Sequence, residues 1–141
     1  MSTDHDSFGP NTLLVRSGLH RTPFQETSEA MFLTSGYVYD SAEAAEAAFI
    51  QDGSRYVYGR FGNPTISLFE ERLSALEGAE ACRATASGMA AVFAALACQV
   101  KAGDRLVAPR SLFGSCTYIL KDLLPRFGVA CDFIDGTDLA Q

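Results

Sequence analysis

Residues Ala84-Thr-Ala-Ser-Gly-Met-Ala-Ala91 carry a run of small side chains into a Ser-Gly pair and on into an apolar segment that reaches Val100. This reads as a short strand over 81–86 that turns at Ser87 into a helix over 87–100, although Arg83 is awkward in a strand buried on both faces. The helix is almost wholly apolar, so burial on several sides is expected. Ala102-Gly-Asp104 then reads as a turn and Leu106-Val-Ala108 as a strand. A helix capped by Ser111 follows to Phe127, and 129–134 reads as another strand. Pro125 is expected to kink that helix or end it early, because proline has no N–H and crowds the preceding turn. The succession βαβαβ points to an α/β fold with a parallel sheet and crossover helices.

Working back from this stretch, Asn63-Pro64 is a helix start, with Asn as N-cap and Pro at the first helical position. The helix should run to about Leu76 with Ile66, Phe69, Leu73 and Leu76 on one stripe, and Gly78 should close it. Before it, Tyr56 to Thr65 is dense in aromatics and turn formers. Asp40 or Ser41 caps an Ala-rich helix expected to reach about Gln51 and end at Gly53, with Asp40 and Glu43 spaced as a capping box. Residues 1–36 lack a sustained period and read as an irregular arm with at most a short helix opening at 13–15. The expected organisation is an N-terminal arm and helix over 1–62, then the front part of an α/β domain over 63–141. Beyond 134 a loop opens another helix. A sheet of two or three strands leaves edges unpaired and a face uncovered, so truncation of a longer protein is expected.

The composition narrows the classes. The chain has 141 residues, 48% hydrophobic and 20% charged, which is ordinary for a globular domain. Eleven Lys plus Arg against 17 Asp plus Glu leave a net charge of -6. That argues against nucleic-acid or anionic-membrane binding, while leaving room for a local anion pocket built on one or two arginines. Cys82, Cys98, Cys116 and Cys131 form no CxxC pair and read as small buried side chains. The acidic N-terminus is unlike a signal peptide, and the longest apolar run, 89–98, falls short of the ~18 residues of a membrane span. A soluble, cytoplasmic protein is expected.

Two segments could carry chemistry. Ser87, Gly88 and Met89 open a helix whose first N–H groups lack intrahelical partners, a place where a phosphate gains hydrogen bonds and a favourable dipole. Many helices begin with Ser-Gly and bind nothing, so this feature alone is weak. Tyr58 and Arg60 offer a phenol beside a guanidinium fork suited to phosphate or carboxylate; Arg60 reads equally well as a surface arginine in a turn. GxGxxG and GxxxxGK[ST] are absent, which argues against dinucleotide and P-loop modes.

Taken together, the two segments resemble the Cys/Met-metabolism family of pyridoxal-phosphate enzymes. Its Tyr-x-Arg-x-x-Asn-Pro-Thr stretch stands here as Tyr58, Arg60, Asn63, Pro64 and Thr65. Leu-Glu-Gly-Ala-Glu follows at 76–80, and Ala-Thr-Ala-Ser-Gly-Met-Ala-Ala at 84–91. The match in order and spacing runs over about residues 12–141. The resemblance implies a PLP-dependent transferase of the aspartate-aminotransferase-like fold type I, with pyridoxal 5'-phosphate as cofactor. Phe32 to Tyr37, Arg110 to Ser115 and Arg126 to Val129 are most like the branch that replaces the succinyl group of O-succinylhomoserine by sulfide, giving homocysteine for methionine biosynthesis. Relatives such as the γ-lyases and cystathionine synthases usually carry Tyr where this chain has Phe113, a departure that favours sulfhydrylase over lyase.

The resemblance further implies a phosphate cup shared between subunits of a homotetramer built from active dimers. Gly88 and Met89, with Ser87, would hold the phosphate of their own subunit. Tyr58 and Arg60 would reach the phosphate of the neighbour, and Phe113 would lie against the pyridine ring. The family's Schiff-base lysine and the acid that pairs with the pyridine nitrogen lie further along than these motifs. Lys101 and Lys121 do not match the lysine motif, so these 141 residues are expected to be inactive by themselves. Cystathionine γ-synthase, O-acetylhomoserine sulfhydrylase or methionine γ-lyase chemistry, or a non-catalytic interaction module, are the alternatives.

Overall fold

A computed structural model describes residues 8–50, 55–138 and 140, arranged as two compact units, 1–84 and 85–141. The division falls after Ala84, whereas the sequence placed a boundary at 62/63; the long helix of the first unit packs with the arm.

In the first unit, α1 (Pro10–Arg16) is the short helix expected in the arm. Helix α2 (Ala42–Ile50) is capped by Ser41, whose hydroxyl accepts the Ala44 N–H at 3.1 Å. Ser41, rather than Asp40, therefore starts the helix; Gln51 and Gly53, its expected end, lie outside the described residues. Helix α3 (Pro64–Glu77) begins and ends as its residues dictate. Asn63 accepts the Thr65 N–H, Pro64 occupies the first turn, and Gly78 closes the helix at φ 63°. Its expected apolar stripe is only half covered: Leu73 and Leu76 are partly buried, while Ile66 and Phe69 are exposed.

In the second unit, α4 (Gly88–Ala97) leads through a tight turn at Gly103 (φ 94°) into β1 (Arg105–Pro109). A crossover helix follows, and β2 (Ala130–Ile134) returns parallel to β1, pairing Arg105 with Ala130 and Pro109 with Ile134. The core is Ala108, Ile119, Leu120, Leu124 and Val129, onto which α4 packs Met89, Val92, Phe93 and Leu96.

Four expectations need correction. The segment 81–86 is not a strand: no strand lies beside it among the described residues, and the Ala84 N–H is taken by the Glu70 carboxylate at 2.7 Å. The described sheet is therefore one βαβ unit. Helix α4 is not buried on several sides, since only one stripe meets the core. Phe113, not Ser111, occupies the cap position of the crossover helix, α5 (Gly114–Tyr118), which widens to a π-turn over Ile119–Leu123 and tightens to a 3₁₀ turn over Leu124–Phe127. Pro125 has no N–H for the Lys121 carbonyl and its ring crowds that carbonyl, so the α pattern does not continue through it; just before it, the Leu124 N–H bonds Ile119 O rather than Leu120 O. Finally, none of the four cysteines is fully buried; Cys98 is exposed and the other three are partly covered.

Candidate functional site

The order of elements in the second unit fixes where its candidate residues stand. Helix α4 precedes β1 and packs onto the core that β1 shares with the crossover helix, touching α5. Helix α5 follows the carboxyl end of β1. Open α/β sheets bind ligands beyond the carboxyl ends of their strands. Gly88 and Met89 stand at the start of α4, and Phe113 at the start of α5.

At the start of α4, Ser87 Oγ accepts the Ala90 N–H at 3.2 Å, and Ser87 O accepts the Ala91 N–H at 3.1 Å. Among the described residues no acceptor takes the N–H groups of Gly88 and Met89. Nothing lies within 4 Å of the position a Cβ would take on Gly88, and the first turn of α4 has no acid. An anion approaching here meets two free donors, the positive end of a ten-residue helix and the hydroxyl hydrogen of Ser87. Phe113 is 72% exposed, and its carbonyl accepts the Cys116 and Thr117 N–H groups that open α5. Its backbone is thus held at the helix start while its ring stands open to solvent. These residues fit a phosphate joined to a flat aromatic ring.

The first unit carries the other candidates. Tyr58 O closes a turn by accepting the Phe61 and Gly62 N–H groups at 2.9 and 3.1 Å. The Arg60 guanidinium lies over the rings of Tyr58 and Phe61, 5.4 and 5.1 Å from their centroids. No carboxylate among the described residues pairs with Arg60, so its donors are available. Beneath the turn, Tyr37 and Tyr56 stack with centroids 5.7 Å apart. Burial, with a smaller contribution from Tyr56, pushes the Tyr37 phenol above its ordinary value. Arg55, Arg60 and Arg83 border an open hollow of about 800 Å³ in this unit.

Sequence reasoning assigned Asn63 only the role of helix cap and gave Glu70 none. The structure shows Asn63 bonded also to the chain at 32–34, and Glu70 holding Ala84 and, at 3.4 Å, Arg83. The cap signal was local; the partners at 32–34 lie some thirty residues away and leave no trace in spacing. No helix among the described residues is long and apolar enough to cross a membrane.

The fold and these motifs define a class. Residues 11–141 match the model of the Cys/Met metabolism PLP-dependent enzyme family, and the chain belongs to that family. The fold is that of PLP-dependent enzymes of fold type I. The chain is 57% identical over 136 residues to the O-succinylhomoserine sulfhydrylase of Mycobacterium tuberculosis, covering 96% of this chain and 34% of the relative. It is 42% identical over 140 residues to the O-succinylhomoserine sulfhydrylase of Pseudomonas aeruginosa, covering 99% and 35%. A Campylobacter jejuni crystal structure containing N'-pyridoxyl-lysine-5'-monophosphate superposes with a TM-score of 0.86 at 26% identity, over 95% of this chain and 33% of that one. The chain thus spans about a third of the length of these relatives.

Proposed function

We propose that the full-length protein is a pyridoxal 5'-phosphate-dependent transferase that replaces the succinyloxy group at Cγ of O-succinylhomoserine by sulfide, forming homocysteine and releasing succinate. The 57% identity to a sulfhydrylase of that specificity, over 96% of this chain, carries the reading. The free N–H pair at Gly88 and Met89 supports it chemically.

In this reading Gly88 and Met89 donate backbone N–H groups to the cofactor phosphate of their own subunit, with Ser87 adding its hydroxyl. Tyr58 and Arg60 belong to the arm, residues 1–62, which reaches the phosphate of the neighbouring subunit in a dimer of active dimers. Phe113 would lie against the pyridine ring. When bound, pyridoxal phosphate supplies an electron sink for the charge left at Cα of the amino-acid substrate. Lys101 and Lys121 are both exposed, and neither is the lysine that would hold the cofactor. The 141 residues alone then lack a nucleophile for turnover. The protein works in the cytoplasm, where sulfide and amino-acid substrates meet during methionine biosynthesis.

The test is an assay of the full-length protein with O-succinylhomoserine, O-acetylhomoserine, cysteine, sulfide and methionine in separate combinations. Homocysteine and succinate from the first substrate with sulfide are expected to form fastest. Faster cystathionine formation, preference for the acetyl ester, or release of methanethiol from methionine would reject the assignment. Arg60→Ala is expected to weaken cofactor affinity at least about tenfold, the scale of a lost charge-assisted hydrogen bond.

A further inference from the structure

The Tyr58–Arg60 turn lies outside the helices and the sheet, with Tyr58 and Arg60 exposed. Asn63 contributes to its hold on both sides, at the start of α3 and at the 32–36 segment. Asn63 is 7% exposed, and its amide is fully committed. Oδ1 accepts the Thr65 N–H at 2.9 Å; Nδ2 donates to Phe32 O at 2.9 Å and Thr34 O at 3.2 Å. Thr65 Oγ1 adds a second fastening by accepting the Phe32 N–H at 2.9 Å. The chain pinned in this way continues directly into Ser35 and Gly36, which hold the turn. Gly59 N–H donates to Ser35 O at 2.7 Å, and Gly36 bridges Tyr58. Contact is close: a Cβ on Gly59 would stand 3.2 Å from both Ser35 Cα and Thr34 O.

We infer that Asn63 is a positioning residue for Tyr58 and Arg60: besides capping α3, its Nδ2 fixes the 32–36 segment against which the phosphate-binding turn is registered. The inference rests on the phosphate reading given above for Tyr58 and Arg60. Only a side chain that both accepts from Thr65 and donates twice can fill this position. Aspartate caps a helix as well as asparagine does, but it has no donor and would face two carbonyl oxygens with a third oxygen. The cap and the clamp can therefore be separated by one substitution.

The experiment uses the full-length holoenzyme and its Asn63→Asp variant, with Asn63→Ser, which also caps, as a second variant should the first fail to fold. Hydrogen exchange of the peptide covering residues 56–61 is expected to quicken at least about tenfold, as for a lost buried hydrogen bond, while peptides within 66–77 of α3 keep their protection. Pyridoxal phosphate affinity, read from cofactor absorbance, is expected to fall in N63D. It is expected to fall no further in the N63D/R60A pair than in R60A alone. Unchanged exchange at 56–61, or additive losses of affinity in the double variant, would overturn the inference. If R60A kept full affinity, the phosphate reading and the link from Asn63 to the cofactor would both fall. Faster exchange at 56–61 in N63D would then mark a clamp that stands without that ligand.

Discussion

Gly18 lies so close to the backbone of α3 that a Cβ built on it would stand 2.5 Å from the Leu68 carbonyl oxygen. Its φ of 71° is in the left-handed region as well. Both facts follow from the arm crossing the helix at this point, where Ser17 O accepts from Arg72 Nε at 3.0 Å. Gly18→Ala is expected to lower the thermal midpoint of the full-length protein, with a cost of about 2 kcal/mol from backbone strain and displacement together. A variant that melts with the parent would contradict the close approach.

Ser87 separates capping from anion binding. Ser87→Ala removes the acceptor for the Ala90 N–H and is expected to cost about 1 kcal/mol of stability. Ser87→Asp keeps a cap acceptor but places a negative charge beside the free N–H groups of Gly88 and Met89. That variant should hold its stability and bind pyridoxal phosphate at least about tenfold more weakly, through like-charge repulsion. Equilibrium dialysis against the cofactor, paired with thermal melting, checks both halves.

Leu124 is 2% exposed and anchors the small core between the crossover helix and the sheet. Leu124→Ala is expected to destabilise by about 2–5 kcal/mol, because the lost contacts and the cavity both count. Leu→Met at the same place should cost less than about 1.5 kcal/mol, since volume is nearly kept. Denaturant or thermal melts of the two variants side by side give the comparison.

Glu29 pairs with Arg72, and its carboxyl lies below the ordinary carboxylate value because of a hydrogen bond from its own backbone N–H and the bond from Arg72. A depressed value in the folded state contributes stability that is present above the unfolded pKa and lost as pH falls through the folded one. Glu29→Gln should therefore melt below the parent at neutral pH, with the gap narrowing as pH drops beneath about 4.5, the ordinary value. The pair is partly exposed, so added salt should shrink the gap at neutral pH as well. A gap independent of pH would assign the effect to packing.

Helix α3 was legible down to its caps because every signal for it lies within a few residues: Asn63 and Pro64 at one end, Gly78 at the other. The strands β1 and β2 were legible for the same reason, as short β-prone runs between turn residues. The segment 81–86 was not. A strand exists only where a neighbouring strand supplies partners, and here Glu70 takes the backbone donor instead. Helix α4 looked buried on several sides because composition reports hydrophobicity but not which neighbours are present to cover it.

The order and spacing of the motifs at 58–65, 76–80 and 84–91 were sufficient to place the chain in its family, since each motif is local and all three coincide. Local signals also marked the starts of α3 and α4 and the parallel connection, though not the start of α5. Only the folded chain decided which side chain holds which backbone across long separations: Asn63 against 32–34, Arg72 against Ser17, Glu70 against Ala84. The reason is physical. A cap or a turn is settled by neighbours in sequence, whereas a hydrogen bond between residues thirty to fifty apart exists only once packing has brought them within about 3 Å.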